Sequence, residues 1–145
     1  MVEIIRAAEA DVAAFLALDP VGFAAPARRA LLLDRIAEGN AFAAMQDSVL
    51  AGYALRGRFF SYDFLELLYV DAARRRTGLG ETLVVAFDAA RRTDRLFIST
   101  NESNAPMRAL LAKLGYAASG MILNLDPGDP ELVFVKRFDG LPVET

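Results

Sequence analysis

At 145 residues, with 54% hydrophobic and 10% aromatic side chains, the chain has the apolar surface for one packed core and is not disordered. Its net charge of -3 offers no global attraction for nucleic acid or an anionic membrane. The absence of cysteine and histidine removes disulfides, thiol nucleophiles and thiolate metal sites, together with the commonest general base and zinc ligand.

Val2–Arg6 reads as a first strand. Glu9–Leu18 carries Val12, Phe15, Leu16 and Leu18 on a helical stripe and stops before Asp19-Pro20. Met1–Leu18 carries Glu3, Arg6, Glu9 and Asp11 inside its apolar run, so no secretory leader is expected there, and no later stretch has the ~20 apolar residues of a membrane span. A soluble, cytoplasmic protein is expected. Pro26–Glu38 predicts a second helix, stopped by Gly39-Asn40. Ala41–Gln46 and Val49–Phe60 form a hairpin across Asp47-Ser48. Asp63–Val70 is an almost uniformly apolar strand, which places it centrally.

The helix Leu79–Arg92 puts Leu79, Leu83, Val84, Phe87 and Ala90 on one face. Arg95–Thr100 is a strand and Ala105–Leu114 a helix. Ala117–Leu125 and Glu131–Arg137 close the chain as a hairpin across Asp126–Pro130. The order β-α-α-β-β-β-α-β-α-β-β predicts an α/β fold of mixed α+β character: a mixed sheet of six to seven strands with helices on both faces. No repeat, low-complexity run or linker divides it, so residues 1–145 are expected to form a single domain.

The chemistry concentrates at Leu65–Gly80. A buried strand there runs into Arg74-Arg75-Arg76-Thr77-Gly78-Leu79-Gly80 and then a helix. Amides at a helix start lack intrahelical acceptors and lie at the positive end of its dipole, so a pyrophosphate is the natural guest. A glycine pair at a strand-to-helix turn is weak evidence alone, since such turns need glycine in any case. A dinucleotide fingerprint needs a further glycine where Leu83 stands, and no Gly-Lys-Ser/Thr run exists for a P-loop.

Arg75-x-x-Gly78-x-Gly80 after Tyr69-Val70 resembles the acyl-CoA signature of the GNAT superfamily of N-acetyltransferases, Gln/Arg-x-x-Gly-x-Gly/Ala. Asn101–Asn104, a helix with Met107, Leu110 and Leu111, and then Gly115-Tyr116 resemble the family's second motif. The resemblance covers nearly the whole chain. It implies a GNAT-like sheet splayed at the fourth strand, acetyl-CoA as cosubstrate, no metal, and a small-molecule or peptide amine as acceptor. It also implies a possible homodimer.

By the same resemblance, backbone groups of Leu68 and Val70 pair with pantetheine, with Tyr69 between them and its side chain on the opposite face. The amides of Arg75, Arg76, Thr77, Gly78, Leu79 and Gly80 wrap the pyrophosphate. Asn104 matches an asparagine that hydrogen-bonds the pantetheine arm; it is equally a helix N-cap before Ala105-Pro106, and the two roles are compatible. Glu66, alone in an apolar strand where burial raises a carboxyl pKa, matches a glutamate acting as general base. A structural glutamate paired with an arginine is the competing reading. The tyrosine that protonates the leaving thiolate in the family is Leu111 here, and nothing in the sequence selects Tyr53, Tyr62 or Tyr69 in its place. That gap leaves open a second class, an acyl-CoA-binding module with a sensing or partner role. An acidic pI of about 5.0 and the lack of a basic helix argue against a DNA-associated regulator. For the acceptor, the apolar segment Asp19–Pro26 suits a pocket wall. Asp126, Asp129 and Glu131 are either an amine-attracting cluster or plain turn chemistry, and the turn is favoured.

Overall fold

The computed structural model describes residues 1–139. Its strands are β1 (Val2–Arg6), β2 (Ala41–Gln46), β3 (Val49–Phe59), β4 (Tyr62–Val70), β5 (Arg95–Asn101), β6 (Ala117–Ile122) and β7 (Glu131–Arg137). The helices are α1 (Val12–Leu18), α2 (Pro26–Ala37), α3 (Leu79–Ala89) and α4 (Ala105–Lys113). The strands hydrogen-bond in the order β1-β2-β3-β4-β5-β7-β6. β4 and β5 are parallel, whereas β1–β2, β2–β3, β5–β7 and β6–β7 are antiparallel. The predicted mixed sheet is therefore present, with seven strands. By contacts the residues fall into two units: Met1–Gly57 with Leu67–Asp88, and Arg58–Glu66 with the chain from Ala89 onward.

In the first unit, Asp47 and Ser48 turn the β2–β3 hairpin at φ 53° and 65°, the paired left-handed conformation that matches strand twist. One core gathers Phe15, Phe23, Leu32, Ile36, Ala43, Tyr53 and Leu55, with Leu67 and Tyr69 packed against it. Gly39 stops α2 at φ 77°: its amide donates to Ile36 O and that of Asn40 to Arg35 O, which satisfies the last carbonyls. The predicted helix from Glu9 divides into a 3-10 turn (Glu9–Asp11) and α1, because Asp11 Oδ2 accepts the Ala8 amide at 2.7 Å and tightens the entry.

In the second unit, β4 and β5 pair from Asp63↔Leu96 to Leu65↔Ile98, and β4 continues five residues beyond that ladder. The predicted helix reaching Arg92 ends at Ala89. The Arg92 amide donates instead to the fully buried Asp63 at 2.6 Å, and the Asp63 amide donates to Thr93 Oγ1. α4 ends in the same kind of stop as α2. Gly115 takes φ 90° and the Tyr116 amide donates to Leu111 O, with both Leu111 and Tyr116 buried. β6 stops at Ile122 rather than Leu125, since the following turn is drawn toward Asn101 and Ser103.

Candidate functional site

The first unit holds the strand end, turn and helix start together. After Val70, the Asp71 amide donates to Ala51 O, and Asp71 Oδ1 accepts the Ala73 amide to cap a short 3-10 turn, Ala72–Arg74. Thr77 Oγ1 donates to Arg74 O at 2.5 Å, and left-handed Arg76 (φ 67°) and Gly78 (φ 84°) reverse the chain. A side chain at Gly78 would meet nothing within 4 Å, so its requirement is conformational rather than steric. The α3 ladder begins with Thr82 N donating to Gly78 O at 3.0 Å. The amides of Leu79 and Gly80 thus precede it, ahead of the first helical acceptor.

The three arginines behave differently. Arg74 is committed to Gln46 at 2.6 Å and to Asp71 at 3.7 Å. Arg75 folds back along the strand: its Nε donates to Val70 O at 3.2 Å and its guanidinium lies 5.9 Å from the Tyr69 ring centroid. Arg76 is exposed. Gly52 on β3 escaped the sequence reading. A Cβ there would stand 2.8 Å from Tyr69 O and 3.4 Å from Leu83 Cδ1, so β3 approaches β4 where only glycine fits. The sequence signal was a glycine inside an otherwise regular strand.

The Tyr69 ring stacks on Tyr53 at 5.6 Å, and Tyr53 in turn packs against Phe15 and Phe23. Beneath them lies a polar network that sequence reasoning missed. Tyr53 OH donates to Asp19 Oδ2 at 2.8 Å, Arg28 Nη2 donates to Tyr53 OH at 3.2 Å and pairs with Asp19 at 2.8 Å, and the Gly22 amide donates to Asp19 Oδ1. Burial pushes the Tyr53 hydroxyl well above its ordinary value; the Arg28 hydrogen bond opposes this and the Asp19 carboxylate adds to it. Tyr53 is therefore a poor proton donor to a leaving thiolate. The segment Asp19–Pro26 is less uniformly apolar in place than in sequence: Asp19 and Phe23 are buried, while Val21 is exposed.

Glu66 and Asn104 belong to the second unit. Glu66 is half-buried, without the full burial expected in an apolar strand. Asn104 is exposed and caps α4, its Oδ1 accepting the Met107 amide at 3.2 Å. Leu111 is wholly buried, a core residue rather than an open slot. Tyr62 lies under the Arg95 guanidinium at 4.4 Å. The hairpin carboxylates are bonded outside their own turn, to β5 and the loop that follows it. Asp129 takes the Ser103 amide and hydroxyl, Asp126 the Asn101 amide group, and Glu131 the Ser99 hydroxyl.

Among the described residues no helix is long and apolar enough to cross a membrane, and no group of three or more acidic side chains is placed to hold a metal.

Comparison with known proteins bears on this arrangement. The sequence profile of the Acetyltransferase (GNAT) family matches residues 8–116. No curated protein matches the chain. Among solved structures, a GNAT-family acetyltransferase from Bacillus cereus is 28% identical and superposes with a TM-score of 0.85, over 95% of this chain and 98% of that one. The ribosomal-protein-S18-alanine N-acetyltransferase from Escherichia coli shares the fold at 21% identity and a TM-score of 0.78, over 100% and 96% of the two chains. A Bacillus anthracis protein solved in complex with acetyl coenzyme A superposes at 0.59 with 18% identity, over 68% of this chain and 62% of its own. A family profile over residues 8–116, a mixed seven-strand sheet with a parallel β4–β5 pair and the amide-lined start of α3 lead to one conclusion: the chain belongs to the GNAT family of acetyl-CoA-dependent acetyltransferases.

Proposed function

We propose that the protein transfers the acetyl group of acetyl-CoA to a primary amine of a small molecule or peptide, by direct attack within a ternary complex. The observation that carries the donor half is the turn Asp71–Gly78 with the α3 amides that follow it, which fits a pyrophosphate. Leu68 and Val70 supply the strand backbone for pantetheine, and Asn104 is assigned to the same arm. The bound thioester supplies an electrophilic carbonyl and a leaving group of thiol pKa near 8.5, which departs without prior protonation more readily than an alkoxide.

The chain's own task is to deliver a neutral amine. A lysine-like amine of pKa about 10.4 is only ~0.1% neutral near pH 7.4, a cost of ~4 kcal/mol. With no histidine in the sequence, a carboxylate acting through water is the available base, and we assign that role to Glu66. The nitrogen bonds to the carbonyl carbon, the carbon–sulfur bond breaks, and the amine's proton passes through water to Glu66. Replacement by Gln should remove the acid limb of the pH–rate profile; an unchanged limb would dismiss Glu66 as the base.

Burial of Leu111, where the resemblance places the acid tyrosine, favours a second reading: a module that binds acyl-CoA and catalyses little. Thiol release from acetyl-CoA across a panel of amines separates the two. Turnover on any amine supports the enzyme, whereas tight CoA binding with none supports the module.

A further inference from the structure

In the second unit, burial alternates along β4 and β5. Asp63, Leu65, Leu96, Ile98 and Thr100 are buried, whereas Tyr62, Phe64, Glu66, Arg95, Phe97 and Ser99 are half-buried. The registers Phe64↔Phe97 and Phe97↔Val135 set the half-buried side chains of β4, β5 and β7 on one sheet face. Phe64 and Phe97 both pack on Phe59, at 5.5 and 5.1 Å, and Tyr62 lies 6.0 Å from Phe97. None of these four rings is buried. A face that met only water would carry polar side chains at these positions. Charge divides the face along its strands. Glu66 stands one two-residue step beyond Phe64, roughly 7 Å along β4. Glu131 accepts the hydroxyl of Ser99, the next residue of β5 on this face after Phe97, at 2.7 Å. At the other end Arg95 and Arg137 are opposite in register, with the Arg95 guanidinium 4.4 Å from the Tyr62 ring; Asp94 offsets one of these two charges.

We propose, resting on acetyl transfer with Glu66 as base, that the acceptor is a primary amine carrying an aromatic ring, its nitrogen at Glu66 and its ring on Phe64 and Phe97. An ammonium approaching this face is drawn by Glu66 and Glu131 and turned away from the arginine end, which fixes the direction in which the molecule lies. With the nitrogen held there, the step from Glu66 back to Phe64 sets a ring joined through two or three carbons over the Phe64–Phe97 pair. Aromatic rings gain from offset and edge-to-face contacts beyond the area they bury, so a saturated ring on the same skeleton is held less well. Phe97 determines the specificity, because it stands between Phe64 and Val135 in register and also touches Phe59 and Tyr62.

Thiol release from acetyl-CoA with phenethylamine and with cyclohexylethylamine tests this on the natural sequence, since the two amines share a carbon skeleton and differ in the aromatic face. The kcat/KM should be about two- to tenfold higher for phenethylamine. Phe97→Leu, which keeps an apolar side chain on the strand, should erase that preference through KM for the amine and leave KM for acetyl-CoA unchanged. Phe60→Asn, at an 82% exposed turn position whose φ of 50° asparagine accepts, should preserve it. Equal kcat/KM for the two amines, or a preference that survives Phe97→Leu, would overturn the aromatic site and leave acetyl transfer standing. If no amine turns over, calorimetric titration of phenethylamine into the CoA-saturated protein decides. Binding that Phe97→Leu weakens about tenfold keeps the site and removes the catalytic reading. No binding, or binding that Phe97→Leu leaves unchanged, removes both.

Discussion

Tyr53 carries an aromatic ring for the core and a hydroxyl that has no water to turn to. Asp19 solves that problem by accepting from it, and Arg28 balances the buried carboxylate. The pH consequence has a definite sign. A tyrosine whose pKa is higher in the fold than in the unfolded chain (about 10) holds its proton more tightly when folded. Its contribution is intact below pH 10 and is lost as pH rises through the elevated value. Stability should therefore fall once pH exceeds about 10, and Tyr53→Phe should flatten that fall. The same variant should lose about 1.5–3 kcal/mol at neutral pH, because a bond to a charged acceptor is removed. Denaturant melts from pH 7 to 11 check both, and parallel pH slopes would refute the assignment. None of this was legible in sequence. Asp19 read as a helix end and Tyr53 as a loose candidate acid, because their contact spans 34 residues.

Element by element, local chemistry read well wherever a glycine or a cap decided it. Gly39 and Gly115 stop α2 and α4 through the same pair of amide-to-carbonyl bonds, so the closing Gly-Tyr of the second motif is first of all a helix stop. Boundaries moved where a distant side chain intervened, as Asp63 does in ending α3. At the start of that helix, Gly80 is the sensitive position. Valine costs less than 1 kcal/mol relative to alanine in a helix, so Gly80→Val should fold. Its branched side chain should nevertheless hold the pyrophosphate away from the backbone amides and weaken CoA binding about tenfold, or ~1.4 kcal/mol. Isothermal titration against CoA reads this directly, and an unchanged dissociation constant would displace the cradle from this loop.

Over the whole molecule, β3 and β4 each run from one contact unit into the other, so neither unit is a continuous stretch of chain. Melting either one would strip a strand that the other also uses. A single calorimetric transition is expected, with calorimetric and van't Hoff enthalpies in agreement; two resolved transitions would show the units to be independent. The sequence by itself determined the element order, the glycine stops, the strand–turn–helix and its likeness to an acyl-CoA signature, because each depends on residues within a few positions of one another. Only the tertiary structure decided which side chains are consumed by support. It tied Arg74 to Gln46, sank Leu111 into the core and bound the hairpin carboxylates to Ser99, Asn101 and Ser103. The physical reason is that burial and long-range hydrogen bonding are properties of the packed chain, and no local pattern encodes the partner a side chain will meet.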